Sequence, residues 1–215
     1  MRTITKATIR AVACISMGLS HAMAWGQGAS LDNDERAVLA VALTETRLKG
    51  EEKLLLVADE TANFRCDGKS MVNAGGCSGM RNKEQRTEDV MVWLHEMFPL
   101  ASPELLTDLR IKSEYPATVA RPLPIPVKQV IWGRTGGDSF GIVAGEPMPK
   151  GQGDPDYLIT VSRVGFDSKH TEALAYIGAM SWKTAALSYG EYVYLRKAGD
   201  RWTLEGRARM WGLGH

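Results

Sequence analysis

YLITVSRV (157–164), TEALAYIGAM (171–180), GEYVYLRK (190–197) and RWTLEGRARMW (201–211) are the segments whose reading decides the fold. β-branched and aromatic residues recur in them at turn-length spacing, so each predicts a strand. Ala198-Gly199-Asp200, a three-residue connection with a glycine, predicts a hairpin between the last two. Upstream, YPATVARPLPIP (115–126) holds four prolines and reads as an extended crossover, since proline suits neither a helix interior nor a central strand. VKQVIW (127–132) can form a strand, and residues 133–156 form a glycine- and proline-rich loop.

Further toward the N-terminus the period changes. From Asp34 to Lys49, Val38, Val41, Ala42 and Leu48 fall at helical spacing, with Gly50 as the stop. KLLLVA (53–58) is an apolar run short enough for a buried strand. Thr87 precedes EDVMVWLHEMF, with acids in the first turn and Val90, Trp93, Leu94 and Met97 on one stripe. Ser102-Pro103 opens another helix, because serine caps and proline fits the first helical position. Helices first and a meander last predict an α+β domain over residues 25–215, its N-terminal helices packed on one face of a curved antiparallel C-terminal β-meander.

The chain carries 26 Lys+Arg against 25 Asp+Glu in 215 residues, a balance that argues against binding nucleic acid or anionic membrane by charge alone. Residues 1–24 read as a secretory signal peptide: Arg2, Lys6 and Arg10 form a basic head, AVACISMGL (11–19) an apolar middle, and Ala22-Met23-Ala24 a small-x-small cleavage site. The run is too short to span a bilayer, so no integral membrane segment is expected after cleavage. Cleavage before Cys14, as in a lipoprotein, would leave almost no apolar stretch ahead of it. The mature chain is then expected to be periplasmic or secreted, starting at Trp25, with a net charge that moves from +1 to near −2. Its two cysteines, Cys66 and Cys77, enclose a ten-residue Gly-, Asn- and Ser-containing loop and are expected to oxidise. A bridge over so short a loop contributes about 2.5–3 kcal/mol by the chain-entropy model. A metal or redox pair is a poorer reading, with no C-x-x-C and His95 outside the loop.

Gly137-Asp138-Ser139-Phe140-Gly141 matches the G-x-S-x-G pattern of a nucleophile elbow, but IVAGEPMPKGQGDP (142–155) is too rich in glycine and proline for the required helix. The same Asp138-Ser139 pair, with Asp167 and His170, superficially resembles the two ends of a GDS-type esterase. Too few residues intervene for such a domain. His95, His170 and His215 show no metal-ligand spacing, and no cofactor motif or metal site is read. Asp59 and Glu60 lie just past a buried strand, where a loop carboxylate can act as a base or contact a ligand. The aromatic residues Trp93, Trp132, Trp182, Trp202, Trp211, Tyr176, Tyr189, Tyr192 and Tyr194 are read as core and cross-strand pairs, with a ligand-binding wall as the alternative. Arg163, in the middle of an apolar strand, is a candidate fork for an anionic ligand; its structural alternative is an ion pair with Asp167 or Glu172.

Ser162-Arg163-Val164-Gly165-Phe166-Asp167, together with ALAYIG and GEYVYLRKAGDRWTL downstream, resembles a group of exported bacterial proteins. Their tails carry an S-R-V-G-F-type strand, an A-L-x-Y-type strand and a G-x-Y-x-x-L-x-K-x-x-G-x-W hairpin. The resemblance covers roughly a quarter of the chain; it implies export and an α+β domain and brings no catalytic residue. Members often carry further cysteines where this chain reads SWKTAALSYG, so no second bridge is implied. More distantly, helices ahead of a meander through Gly199-Asp200-Arg201-Trp202 are similar to the cone-shaped NTF2-like fold, a likeness that carries no function. The expected role is a non-catalytic module that binds an unidentified small ligand or an envelope protein. The alternative is a small secreted serine hydrolase using Ser139, with His170 as base.

Overall fold

The computed structural model describes residues 29–46, 52–63, 83–132, 155–181 and 188–213. Residues 1–24, Cys66, Cys77, Asp138, Ser139, Trp182 and His215 lie outside them. In chain order the elements are α1 (Asn33–Thr46), β1 (Leu54–Ala58), α2 (Lys83–Met97), α3 (Pro103–Lys112), β2 (Lys128–Trp132), β3 (Tyr157–Val161), β4 (Gly165–Phe166), β5 (Glu172–Ser181), β6 (Ser188–Ala198) and β7 (Arg201–Leu213). The α+β class is as expected, and β5, β6 and β7 form the antiparallel C-terminal meander. The sheet as a whole is mixed: its order is β2-β1-β3-β5-β6-β7, with β1 parallel to both β2 and β3 and with β4 paired to β5. The link from β1 to β2 carries α2 and α3, the crossover that a parallel pair requires.

The helices do not share one face, contrary to the expectation from sequence. α1 buries Val38, Leu39, Ala42 and Leu43 against Ile159, Ala175, Ile177 and Val193. On the opposite face, α2 and α3 bury Val90, Leu94, Leu105 and Leu109 against Leu174, Tyr176, Tyr192 and Tyr194. The cause is written in β5, where Ala173, Ala175 and Ile177 point one way and Leu174 and Tyr176 the other, all of them buried. A strand that is apolar at both parities needs cover on both sides. Tyr176 and Tyr192 meet edge to face at 5.4 Å in the α2/α3 layer, an arrangement worth about 0.5–1.5 kcal/mol beyond the area it buries.

Local chemistry sets the element ends. Asp32 Oδ1 accepts the Glu35 N–H while Glu35 Oε2 accepts the Asp32 N–H, a reciprocal capping box at the start of α1. Ser102 Oγ accepts the Leu105 N–H ahead of Pro103, as its sequence implies. α2 starts at Lys83, ahead of the Thr87 start read from sequence, because Lys-Glu-Gln-Arg are strong helix formers. The proline-rich crossover holds neither helix nor strand but is irregular, bending at Arg121 and over 124–127, and its Thr118 and Val119 N–H groups donate to the Ala29 and Asp59 carbonyls. Ala198 pairs with Arg201, so the β6–β7 turn has two residues rather than three, with Gly199 at φ +63°. A register slip at Glu205 then turns Leu204 toward the α1 layer and Gly206 toward Phe98 in the other.

Candidate functional site

The strand read from sequence as 157–164 stops at Val161. Its pairing with β5 slips by one residue before β4, so Ser162, Arg163 and Val164 form a bulge. A bulge leaves backbone donors without ladder partners, and here side chains take them. Ser162 Oγ accepts the Tyr176 N–H at 2.9 Å. Glu35 Oε1, reaching in from α1, accepts the Val164 N–H at 3.1 Å and the Arg163 Nε–H at 2.6 Å. From the opposite layer, Asp108 Oδ2 on α3 accepts the Phe166 N–H at 2.8 Å, and Lys112 pairs with Asp108 at 2.8 Å while donating to the Val164 carbonyl at 3.2 Å. Two carboxylates, each with its own cation, thus hold one bulged strand from both helical layers. Gly165 lies between them without room for a side chain, since a Cβ there would stand 2.6 Å from Leu109 Cβ and 2.7 Å from the Leu105 carbonyl oxygen.

Beyond the bulge the chain turns back through residues 167–170. Asp167 accepts the Thr171 N–H at 2.6 Å, the Thr171 hydroxyl at 2.9 Å and the Glu172 N–H at 2.7 Å. Burial pushes its carboxyl up, but these hydrogen bonds more than offset that and hold it below the usual range. Glu172 is governed the same way: burial raises it, and donors from Ser102, Tyr194 and Arg196 bring it below normal. His170 adopts the left-handed conformation, φ +53°, and its ring stacks on Phe166 at 4.7 Å. A cleft of about 310 Å³ opens here, walled by Glu104, Asp108 and Lys112 of α3 and by Phe166, Ser168 and His170.

Arg163 meets neither Asp167 nor Glu172; its partner is the fully buried Glu35. His170 turns its Nδ1 toward Asp34 at 3.7 Å, while the Asp167 carboxylate is engaged by Thr171 and Glu172. Asp59 is half-buried at the end of β1, and no hydrogen bond or ion pair joins it to Arg163 or His170. His95 is exposed on α2. Among the described residues no group of three or more His, Cys, Asp or Glu side chains is placed to hold a metal. Sequence reasoning passed over Glu35, Asp108 and Lys112. The Asp-x-x-Glu box at 32–35 and the i, i+4 spacing of Asp108 and Lys112 were the available signals. No protein-family model, no curated protein and no solved structure matches this chain.

Proposed function

We propose that this chain is an exported, non-catalytic interaction module of the bacterial envelope. Its single carrying observation is the contrast between polar groups engaged within the fold and apolar ones left exposed. Glu35, Arg163, Asp108, Asp167 and Glu172 are engaged in holding the fold. Of the large apolar side chains left exposed among the described residues, Val92, Met97 and Ile111 lie on α2 and α3, Leu100 in the turn between them and Tyr115 just past α3. An apolar surface gathered on one layer favours protein contact over chemistry in a pocket. Cover on both faces of β5 and β6 argues for binding on this surface rather than in the concavity of an NTF2-like cone. Export is inferred from the basic head, apolar middle and Ala22-Met23-Ala24 of the leader, and a Cys66–Cys77 bridge suits an oxidising compartment.

Expression of the tagged chain in a bacterial host, with fractionation, N-terminal sequencing and a serine-directed fluorophosphonate probe, tests the proposal. The expected product is periplasmic, begins at Trp25 and is not labelled. Cytoplasmic, uncleaved chain would overturn export. Labelling that disappears in Ser139→Ala would replace the interaction module by a serine hydrolase.

A further inference from the structure

The α2/α3 layer has a charge as well as an apolar surface. Val92, 58% exposed, lies on α2 one turn from Glu88 and Asp89 on one side and from His95 and Glu96 on the other. Arg110 of α3 reaches Glu88 at 2.6 Å, which sets the C-terminal half of α3 beside the N-terminal half of α2. Leu100, 72% exposed, and Met97 therefore lie at one end of the pair, Ile111 and Tyr115 at the other, and Val92 between. From Lys83, the first residue of α2, to Tyr115 the sequence holds seven acidic residues against four Lys or Arg. Two of the four are committed, Arg110 to Glu88 and Lys112 to Asp108 and the Val164 carbonyl. Asp89, Glu96 and Glu114 are exposed and have no ion-pair partner among the described residues.

We infer that the outer face of α2 and α3 is a docking surface for a cationic amphipathic helix, a segment with an apolar stripe flanked by Lys and Arg. The inference rests on the interaction-module reading and gives its partner a chemistry. Val92 and Ile111 lie on the sides of their helices away from the buried Val90, Leu94, Leu105 and Leu109, where the apolar stripe of a partner helix can meet them. The acids around Val92 fix the sign of the flanking charges and steer encounter. The same acids repel anionic lipid, so the occupant is a protein segment and not a membrane surface.

The test uses the mature chain and a fluorescein-labelled Leu/Lys peptide of about 18 residues patterned as an amphipathic helix. Anisotropy should report saturable binding that weakens as salt rises. Val92→Ser with Ile111→Ser, and separately Asp89→Lys with Glu96→Lys, should each weaken it by about tenfold while the melting temperature holds. Asp200→Lys with Glu205→Lys makes the same charge change on the β6–β7 hairpin and should leave binding unaltered. Equal loss from the hairpin variant, no loss from the helical variants, or uptake of the chain by phosphatidylglycerol vesicles would overturn the inference. A Leu/Glu peptide that binds with the same sensitivity to Val92→Ser and Ile111→Ser would overturn the charge assignment but leave the interaction reading standing. Fluorophosphonate labelling defeats that reading whatever the peptides do.

Discussion

Glu35 and Asp108 perform the same task on the two faces of one strand, and their surroundings differ. Each accepts one backbone N–H, Glu35 from Val164 in the bulge and Asp108 from Phe166 just beyond it, and each meets a cation. The Glu35 side chain is fully buried and its Arg163 partner 14% exposed, whereas the Asp108 side chain keeps 30% of its surface in solvent. A buried pair gives little net stability when intact, yet loss of one partner strands a charge out of water; a half-exposed pair can fall back on solvent. The difference makes α1 the brittle attachment of this fold and α3 the forgiving one.

The largest expected effect comes from breaking the brittle side. Glu35→Ala strands Arg163 and removes the acceptor of the Val164 and Asp32 N–H groups, and should cost about 3–5 kcal/mol in urea unfolding. Gly165→Ala comes next, at about 1–3 kcal/mol, because α3 must back away from the strand to admit a methyl group. Asp108→Ala should cost about 1–2 kcal/mol by the same measurement, since water can reach the groups it leaves. A loss at Asp108 equal to that at Glu35 would erase the comparison.

Acid sharpens it further. Asp167 and Glu172 both have carboxyls held below their ordinary range in the folded chain. Their contribution is fully present above the unfolded-state values near pH 4 and is lost as pH falls through the lower folded-state values. Asp167→Asn with Glu172→Gln should therefore flatten the fall in stability below about pH 4, read from melting temperature across that window.

Much of this architecture was legible in the sequence, but not its attachment points. Hydrophobic period and turn residues located α1, α3 and the meander, because these features depend on near neighbours. TEALAYIGAM also carried the sign of a strand covered on both faces, since its apolar residues occupy both parities. The parallel pairing of β1 with β2 and β3 was hidden by long connections, which leave no local trace of strand order. The bulge at 162–164 was equally hidden, because alternation gives each strand's period and not its register against a neighbour. Arg163 stood out as a charge in an apolar strand, but its partner lies 128 residues away on α1. The role of the Ser162–Phe166 segment therefore could not be read from its own residues. Its serine, arginine, glycine and the backbone around Val164 and Phe166 each secure a neighbouring element.

A double-mutant cycle on Glu35 and Arg163, measured by urea unfolding with Glu35→Met, Arg163→Met and the two combined, tests that role most directly. The buried Glu35–Arg163 pair predicts that each single substitution is strongly destabilising and that the double is at least as stable as either, because the stranded charge is gone. Additive losses, with Arg163→Met alone near neutral, would contradict it and return Arg163 to the position of a side chain kept for a ligand.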